Sequence, residues 1–446
     1  MRRVHGDNQR HLDEADWPTD LGLSAVLSGS ARADQVVLGR LRLRFGSPRA
    51  LTPERPFSLA VDLVDEMAQP LQVSSQLMPE LCVAVIHAEE ENDDDGGGHE
   101  RSLDPTTELS LETLRCVLRP SAAQWRLDCV LHRVQARQHD AVDRRLRLQV
   151  QLSAPSSSSL REDSAILQAL QQFCVASQWL PLRRGGDALV LPVVSDVIHV
   201  TDAPATSLSL PLPPPTSSRC QRRFQVGPQH GCLRIQEDYG LAMGAHVWDA
   251  SIWLGVALRQ AVGESARELP SMLELGAGSG LFGCVYRALG ARPKRAPSVV
   301  LTERPDCVEV LQANLARNGV HAVALPLMWG SDELPVALRG GVDVVFAADV
   351  LYNWSVHELW LATLARLAHQ RSGRAFRVLL AHKRRGGATS ERLDAVLKHG
   401  VDAACGERCR WRHWDVRRVG AVSAIDVLQL TPRASLASDD DDDDQR

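Results

Sequence analysis

Three glycines spaced two residues apart, Gly276, Gly278 and Gly280, constrain this chain more than any other feature. An apolar segment, 271–275, precedes them, and 281–289 follows with apolar residues at helical spacing. Glycine is required at such a turn because a backbone that bends sharply and lets a ligand touch its N–H groups has no room for a Cβ, and the helix N-terminus adds a partial positive charge. The pattern predicts a strand, a nucleotide-binding turn and a helix.

Two cofactor classes use a turn of this kind. Gly278-x-Gly280-x-x-Gly283 fits the dinucleotide pattern, whereas Glu274-x-Gly276-x-Gly278-x-Gly280 is the acidic form found in enzymes that use S-adenosylmethionine. The turn alone does not choose between them.

An acidic residue ends the next apolar segment. Glu303 lies about 20 residues after the last glycine, where a carboxylate can accept both hydroxyls of an adenosine ribose. This position supports an adenosine cofactor of either class.

The bulk composition is that of a soluble globular protein. The chain has 446 residues, a formal net charge of −5, and 44% hydrophobic and 24% charged residues, which predicts two or three domains. No apolar run approaches the roughly 18 residues of a membrane span, and the polar start lacks a secretory signal. Ten cysteines without dense spacing favour a reducing compartment. We expect an intracellular monomer, cytoplasmic or nuclear, without membrane or nucleic-acid partners; a local basic surface stays open.

Composition also divides the chain into segments. Strands without intervening long helices predict an antiparallel sandwich or barrel, and proline and serine mark an extended linker. The predicted segments are a disordered N-terminus (1–32), a β-rich accessory domain (33–155), a bridging helix and strand (156–201), a Pro/Ser-rich linker (202–219), a catalytic domain (220–432) and an acidic disordered tail (433–446).

Predicted elements of the N-terminal half follow from apolar patterning. An acidic, glycine-rich insert over 89–98 is expected to be a solvated loop. The predicted strands are 36–45, 57–63, 81–86, 125–131, 146–152 and 188–200, with a helix over 166–179.

After the linker, short apolar runs alternate with amphipathic helices. This alternation predicts a mainly parallel sheet with helices on both faces, and the short connection between the last two strands requires one of them to be antiparallel. The predicted strands are 271–275, 298–302, 322–327, 343–347, 376–381, 411–416 and 424–430, and the helices are 281–289, 305–317, 356–369 and 390–399.

Further candidate site residues lie near the ends of these strands. Asp349 and Tyr352 follow a very apolar strand, where ligands sit in sheets of this kind, although an N-cap aspartate and a packed tyrosine are the alternative. Trp248 and Trp329 stand outside a regular core pattern and can wall off adenine or a sulfonium cation, although a single Trp is more often core. The basic run 383–385 either meets an acidic target or forms a solvated face.

Together these motifs resemble one family. Over roughly 225–430 the chain is similar to the seven-strand protein lysine methyltransferases of the methyltransferase-like group, and we see no family resemblance in the N-terminal half. The motifs that carry the resemblance, in order, are Val247-Trp248-Asp249-Ala250, Leu273 to Gly280, Leu311-x-x-Asn314-x-x-x-Asn318, Leu327-x-Trp329-Gly330 and Asp349-x-x-Tyr352.

The resemblance implies a Rossmann-like fold, S-adenosylmethionine as cofactor and a lysine-containing protein as substrate. Cys405, Cys409 and His413 have metal-like spacing, but only three candidate ligands are local, so we predict strand-end residues and no metal. The chain departs from the family at Glu303, where many members carry Asp, and in the short segment after Trp329. The implied roles are the methionine end of the cofactor for Gly276, Gly278 and Gly280, its amino group for Glu274, the ribose for Glu303, the adenine for Trp329 and Ala348, pocket closure for Trp248, and the lysine channel for Asp349 and Tyr352.

The predicted function is thus lysine methylation of a protein. Three alternatives stay open: methylation of a small molecule or nucleic acid, a non-catalytic scaffold on the same fold, and an NAD-dependent oxidoreductase. The last is disfavoured because we find no second mononucleotide half and no hydride-transfer residues.

Overall fold

A computed structural model provides the structure of the chain. Several predicted segments lie wholly or largely outside the residues it describes: the N-terminal segment, the acidic insert, most of the linker and the acidic tail. The structure describes residues 23, 26, 36–72, 81–87, 109–119, 124–133, 144–153, 164–182, 187–200, 216–227, 230–241, 243–262, 269–290, 298–339, 342, 344–370, 376–399 and 409–433.

In the part of the chain that the structure describes, the N-terminal half contains two large packed sheets, a small two-stranded sheet and the helix α1 (Ala165–Phe173). Its strands are β1 (Val36–Leu43), β2 (Ser47–Pro48), β3 (Ala50–Leu51), β4 (Pro56–Val64), β5 (Leu81–His87), β6 (Leu109–Arg119), β7 (Gln124–Arg133), β8 (Arg144–Leu152), β9 (Gln178–Pro181), β10 (Asp187–Leu191), β11 (Val193–Ser195), β12 (Ile198–Val200), β13 (Thr216–Ser217), β14 (Arg219–Gly227) and β15 (His230–Asp238).

One sheet has the order β6-β7-β4-β1-β10-β9, and the other β15-β14-β11-β8-β12-β3 with β5 also on β8. Leu41, Val61 and Leu127 of the first sheet pack with Leu148 and Val150 of the second in one apolar core. The predicted β-rich sandwich is confirmed, but its sheets are not purely antiparallel, because β1 pairs with β10 and β12 pairs with β3 in parallel.

The first sheet is buried on its outer face as well. Alternate residues of β1 point in opposite directions, so Leu41 and Leu43 enter the sandwich core. Val36 and Leu38 join a second core with Trp253 of the C-terminal half, residues 243–433, which the sequence predicts to be catalytic and which is called the catalytic half below. The other half of the chain therefore covers the outer face of the first part of β1.

Strand pairing crosses the predicted domain boundaries. β10, β11 and β12, in the segment predicted to bridge the domains, pair with β1 and β8 of the sandwich. β14 and β15, assigned to the catalytic domain, extend the second sheet.

Two predicted elements of the bridging segment are also wrong in detail. The helix ends at Phe173 and its last predicted residues form β9, while the predicted strand 188–200 is three short strands. Apolar residues face the core in both arrangements, so hydrophobicity alone did not separate them.

The catalytic half contains a seven-stranded sheet in the order β18-β17-β16-β19-β20-β22-β21. Its first five strands are parallel, and β22 runs antiparallel to both neighbours, which confirms the predicted doubly wound sheet. These strands are β16 (Met272–Leu275), β17 (Val299–Glu303), β18 (Val323–Pro326), β19 (Val344–Ala348), β20 (Arg377–Lys383), β21 (Trp414–Val422) and β22 (Ile425–Pro432).

Helices cover both faces of this sheet. They are α2 (Asp249–Val262), α3 (Leu281–Leu289), α4 (Val308–Arg317), α5 (His357–His369) and α6 (Gly387–His399). α2, α3 and α4 pack on one face and α5 and α6 on the other, as two separate apolar cores show. No helix among the described residues is long and apolar enough to cross a membrane.

Asn314 of α4 and Asn318, the residue that follows the helix, join the halves. Asn314 accepts the N–H of Gln236 at 2.8 Å and donates to its carbonyl at 3.0 Å, and Asn318 makes the same pair with Arg234 at 2.7 and 3.0 Å. Each side-chain amide therefore forms the pair of backbone hydrogen bonds that a neighbouring strand would form with the edge strand β15. The asparagines of the resemblance motif thus fasten the sandwich to the catalytic sheet.

Candidate active site

The glycine turn lies at the carboxyl end of β16, and its backbone requires glycine. Gly276, Gly278 and Gly280 have φ of 72°, 57° and 81°, in the left-handed region that L side chains rarely adopt. A Cβ at Gly276 would lie 3.0 Å from the Trp329 ring, and one at Gly278 would lie 3.2 Å from the Gly244 carbonyl oxygen. The turn is thus enclosed by the segments after β18 and before α2.

Gly283 has a different function in the structure. A Cβ there would lie 2.4 Å from the Leu301 side chain, so glycine lets α3 approach β17 closely. The third glycine of the dinucleotide pattern is therefore a packing residue.

Glu303 ends β17 beside the turn. Its Oε2 accepts the Gly278 N–H at 2.7 Å and its Oε1 accepts the Arg304 N–H at 2.9 Å. Burial raises the pKa of Glu303, while these two N–H donors lower it in part. The carboxylate is fixed with lone pairs remaining on each oxygen, as hydroxyl donors would require.

Glu274 lies beneath the turn, 1% exposed. Its carboxyl accepts the Gly283 N–H, and its Oε2 has no hydrogen-bond partner among the described residues. Burial raises the pKa of Glu274 to about 8, the N–H of Gly283 lowers it in part, and the nearby Glu303 charge raises it further. Its predicted contact with a cofactor amino group stays a prediction.

The two tryptophans and the alanine predicted to line the cofactor pocket lie around the same turn. Trp329 packs on Gly276, and Ala348 is half-buried at the end of β19. Trp248 is half-buried in the segment against Gly278 and donates its indole N–H to the Met243 carbonyl at 3.1 Å.

Asp349 follows β19 with φ 60°, a strained conformation that aspartate tolerates better than most residues. Its side chain is 2% exposed, and both carboxylate oxygens accept from the Arg385 guanidinium, Oδ1 at 2.8 Å. The Lys383 backbone N–H lies 3.4 Å from Oδ1. Asp349 is thus a fixed, ion-paired carboxylate, not a free base facing solvent.

Tyr352 lies at the mouth of the site, 47% exposed. Desolvation raises the pKa of Tyr352, the Arg304 charge lowers it, and Glu303 and Asp349 raise it further. The structure therefore brings Tyr352 near both carboxylates. The roles of these site residues remain predictions.

Sequence patterns missed an ionic cluster next to Asp349. Lys383 and Arg385, from the basic run, pair with carboxylates rather than forming a solvated face. Two other members, Arg40 and Glu66, come from the sandwich, and no local pattern could connect them to residues more than 180 positions away. The cluster consists of Arg40, Glu66, Asp249, Asp349, Lys383 and Arg385.

His382 was also missed. Its ring is 2% exposed, 3.8 Å from Asp349 Oδ1, and neither ring nitrogen has a hydrogen-bond partner among the described residues. Burial lowers the pKa of His382, and Asp349 raises it only in part. A neutral imidazole thus borders the ionic cluster.

A cleft of about 920 Å³ opens in the sandwich and is lined by Arg42, Arg44, Arg49 and Arg219 among others. Tyr239 at its edge lies 4.6 Å from the His246 ring, which in turn contacts Trp248. The cleft is thus separate from the glycine turn but linked to it through aromatic rings.

Among solved structures, the chain is similar to the T. thermophilus 16S rRNA N2 G1207 methyltransferase (RsmC) in complex with AdoMet and guanosine. That match has 19% identity and a TM-score of 0.33 and covers 53% of this chain and 54% of that one.

Sequence relatives cover the segment that carries the site. Protein N-lysine methyltransferase METTL21A of Danio rerio is 34% identical over 147 residues, 32% of this chain and 62% of that protein. METTL21A of Mus musculus is 34% identical over 148 residues, 31% of this chain and 63% of that protein. The chain thus spans less than two thirds of these relatives. Residues 228–399, which contain the glycine turn, Glu303 and Asp349, match the family model described as lysine methyltransferase.

Proposed function

We propose that this chain is an S-adenosylmethionine-dependent methyltransferase that acts on lysine side chains of a protein substrate. One observation carries the proposal: the segment matching the lysine methyltransferase family folds into a turn of three left-handed glycines beside a fixed carboxylate. The relatives named protein N-lysine methyltransferase support the same activity.

S-adenosylmethionine fits the residues present. Glu303 keeps lone pairs for ribose hydroxyls, and the buried Oε2 of Glu274 lacks a donor that an ammonium group could supply. Trp329 and Ala348 would border the adenine, Trp248 would close the pocket, and the crowded glycines would hold the methionine end.

Methyl transfer requires positioning more than covalent help from the protein. The cofactor, when bound, supplies a methyl group already activated on a sulfonium. The enzyme brings a neutral lysine amine in line with that methyl group, and a desolvated channel lowers the pKa of the incoming lysine so that its lone pair is free. Tyr352 shapes the channel entrance.

Asp349 orients the amine. Its carboxylate is held by Arg385, and its remaining lone pairs accept an amine N–H. This arrangement gives the lone pair of the amine one direction, and the departing proton leaves to solvent. Asp349 is thus an orienting group in this proposal rather than the proton acceptor.

A finer assignment rests on two segments. Within the methyltransferase-like group, residues 346–352 and the end of α5, 364–369, are most like methyltransferase-like protein 22. We propose that protein as the nearest functional counterpart.

The test uses the full chain with methyl-labelled S-adenosylmethionine and a protein extract. We expect label on lysine residues with the wild type, and none with Gly278→Arg or Asp349→Ala. Gly319→Arg is the matched control, because Gly319 has the same φ of 57° but nothing within 4 Å of its Cβ position.

Other outcomes select the alternatives. Label in RNA or small molecules would replace the protein substrate, and stabilisation against heat by NAD but not by S-adenosylmethionine would overturn the cofactor.

A further inference from the structure

A short loop of the sandwich enters the catalytic half. It follows β4, where Asp65 Oδ1 accepts the N–H groups of Met67 at 2.9 Å and Gln69 at 2.8 Å. Ala68 has φ 60°, which completes a tight turn. Glu66 lies between Asp65 and Met67 in this turn, and its side chain points away from its own sheet.

All three close contacts of the Glu66 carboxylate are with the catalytic half. Oε1 lies 2.8 Å from Lys383 Nζ and 2.7 Å from Arg385 Nη2, and Oε2 accepts the Asp249 N–H at 3.0 Å. The Glu66 side chain is 2% exposed. A buried carboxylate with three donors is fixed in one orientation.

Glu66 reaches the proposed orienting residue through one cation. Nη2 of Arg385 donates to Glu66 Oε1 and to Asp349 Oδ2, and Nη1 donates to Asp349 Oδ1. Its guanidinium also lies 5.8 Å from the centre of the Trp248 ring. Burial would lower the pKa of Arg385, but hydrogen bonds and charge attraction from Asp349 and Glu66 raise it on balance. The guanidinium is therefore held by two anions, one from each half of the chain.

The charges of the cluster balance. Glu66, Asp249 and Asp349 face Arg40, Lys383 and Arg385, and Asp249 pairs with Arg40 and Lys383 at 2.6 Å each. Burial would raise the pKa of Asp249, but Arg40 and Lys383 lower it on balance. Burial and the neighbouring Asp249 charge raise the pKa of Glu66, and Lys383 and Arg385 offset this only in part. Removing one anion leaves a buried positive charge without a counter-ion beside the site, which is costly.

We infer that Glu66 of the sandwich is a positioning residue for methyl transfer: it holds Arg385 on Asp349 and neutralises the cluster. The inference rests on the proposed function. Without Glu66 the guanidinium loses one of its two anchors, so the Asp349 carboxylate no longer has one orientation. The same loss gives the site an extra positive charge, which repels the sulfonium of S-adenosylmethionine but not the neutral thioether of S-adenosylhomocysteine.

The test compares wild type with Glu66→Gln, which keeps the shape of the side chain and removes its charge. We expect kcat for lysine methylation to fall about tenfold while KM for the protein substrate changes less than about twofold. We also expect affinity for S-adenosylmethionine to fall about fivefold more than affinity for S-adenosylhomocysteine, measured by calorimetry. The control is Glu54→Gln, the same change at an exposed site of the same sandwich. This variant should leave kcat and the relative affinity for the two cofactor forms unchanged.

A second variant separates charge from folding. Glu66→Gln combined with Lys383→Met restores equal numbers of buried anions and cations, so the preference between the two cofactor forms should return toward wild type while kcat stays low. The inference is overturned if Glu66→Gln lowers only the thermal midpoint, or if the double variant keeps the altered preference. If the wild type methylates no lysine or binds no S-adenosylmethionine, the proposed function fails instead.

Discussion

At the scale of single residues, the site depends on backbone conformations that few residues tolerate. Gly276, Gly278 and Gly280 are left-handed because the chain turns from β16 into α3 within five residues. The backbone of Asp349 is also in the left-handed region. The Arg385 ion pair and the hydrogen bond from the Asp349 N–H to the Ala381 carbonyl, at 2.7 Å, stabilise this strained conformation.

Gly278→Ala and Gly319→Ala separate strain from ligand binding. Both residues have φ 57°, so each alanine should lower the free energy of unfolding by about 1–2 kcal/mol. Only the Gly278 variant places a Cβ within 3.2 Å of the Gly244 carbonyl at the turn. Its affinity for S-adenosylmethionine should fall at least about tenfold by calorimetry, and that of Gly319→Ala should not change. Equal affinities would place the cofactor elsewhere.

Glu274 should make stability depend on pH. Its folded-state pKa of about 8 exceeds the ordinary value of 4.5, so between these values the folded state binds more protons than the unfolded state. The protonated Glu274 therefore stabilises the folded state fully below about pH 4.5. As the pH rises from there through about 8, the free energy of unfolding falls by up to about 5 kcal/mol.

Urea unfolding of the cofactor-free protein at pH 5, 6, 7 and 8 measures this loss. Glu274→Gln has no proton to release there, so its stability should decline less than that of wild type. Glu309→Gln, on the exposed face of α4, is the control and should follow the wild-type profile. Parallel profiles for wild type and Glu274→Gln would show that Glu274 does not carry the effect.

At the scale of elements, α4 acts as a fastener between the two halves. Asn314 is fully buried and donates to the Gln236 and Ser279 carbonyls, the second of which lies in the glycine turn. The edge of the sandwich and the cofactor turn thus share one amide.

Asn314→Asp should destabilise the protein, because a carboxylate cannot donate to these two carbonyls and carries a buried charge. We expect a loss of about 3 kcal/mol in the free energy of unfolding, measured by urea denaturation. Asn353→Asp is the matched control, since Asn353 uses its Oδ1 to accept the Ser355 N–H at 3.1 Å and aspartate does the same. An equal loss in both variants would contradict the fastening role of Asn314.

At the scale of the whole molecule, the sandwich and the catalytic sheet share a core. Leu38 and Leu189 of the sandwich pack in one apolar cluster with Trp253 and Phe282 of the catalytic half. Arg40 and Asp249 add a buried ion pair across the same junction. Separating the halves would expose apolar surface and unpaired charges together.

The two halves should therefore unfold as one unit. We expect tryptophan fluorescence and far-ultraviolet circular dichroism to give coincident urea transitions. S-adenosylmethionine should also slow hydrogen exchange of the β1 and β10 amides, which lie outside its site, because binding stabilises the whole unit. Two resolved transitions, or protection confined to the catalytic half, would contradict this coupling.

Local patterns predicted much of this molecule. The alternation of apolar runs and helices predicted six of the seven strands of the catalytic sheet to within two residues, because each pattern reports burial over a short stretch. The predicted strand 411–416 was wrong in its bounds: residues 410–413 form a 3-10 turn, and β21 begins at Trp414 and extends to Val422. The glycine turn, Glu303 and Asp349 were singled out in the same way, since turn geometry and strand ends restrict residue type locally, and their roles stay predictions.

Only the tertiary structure decided how the two halves meet. The sequence shows Glu66, Arg40 and Arg385 as ordinary charged residues, and their pairing depends on a turn after β4 and on the packing of β1 against α2. The tertiary structure also decided that β14 and β15 belong to the sandwich. Apolar periodicity states that a face is buried but not what buries it, so partners distant along the chain are set by packing alone.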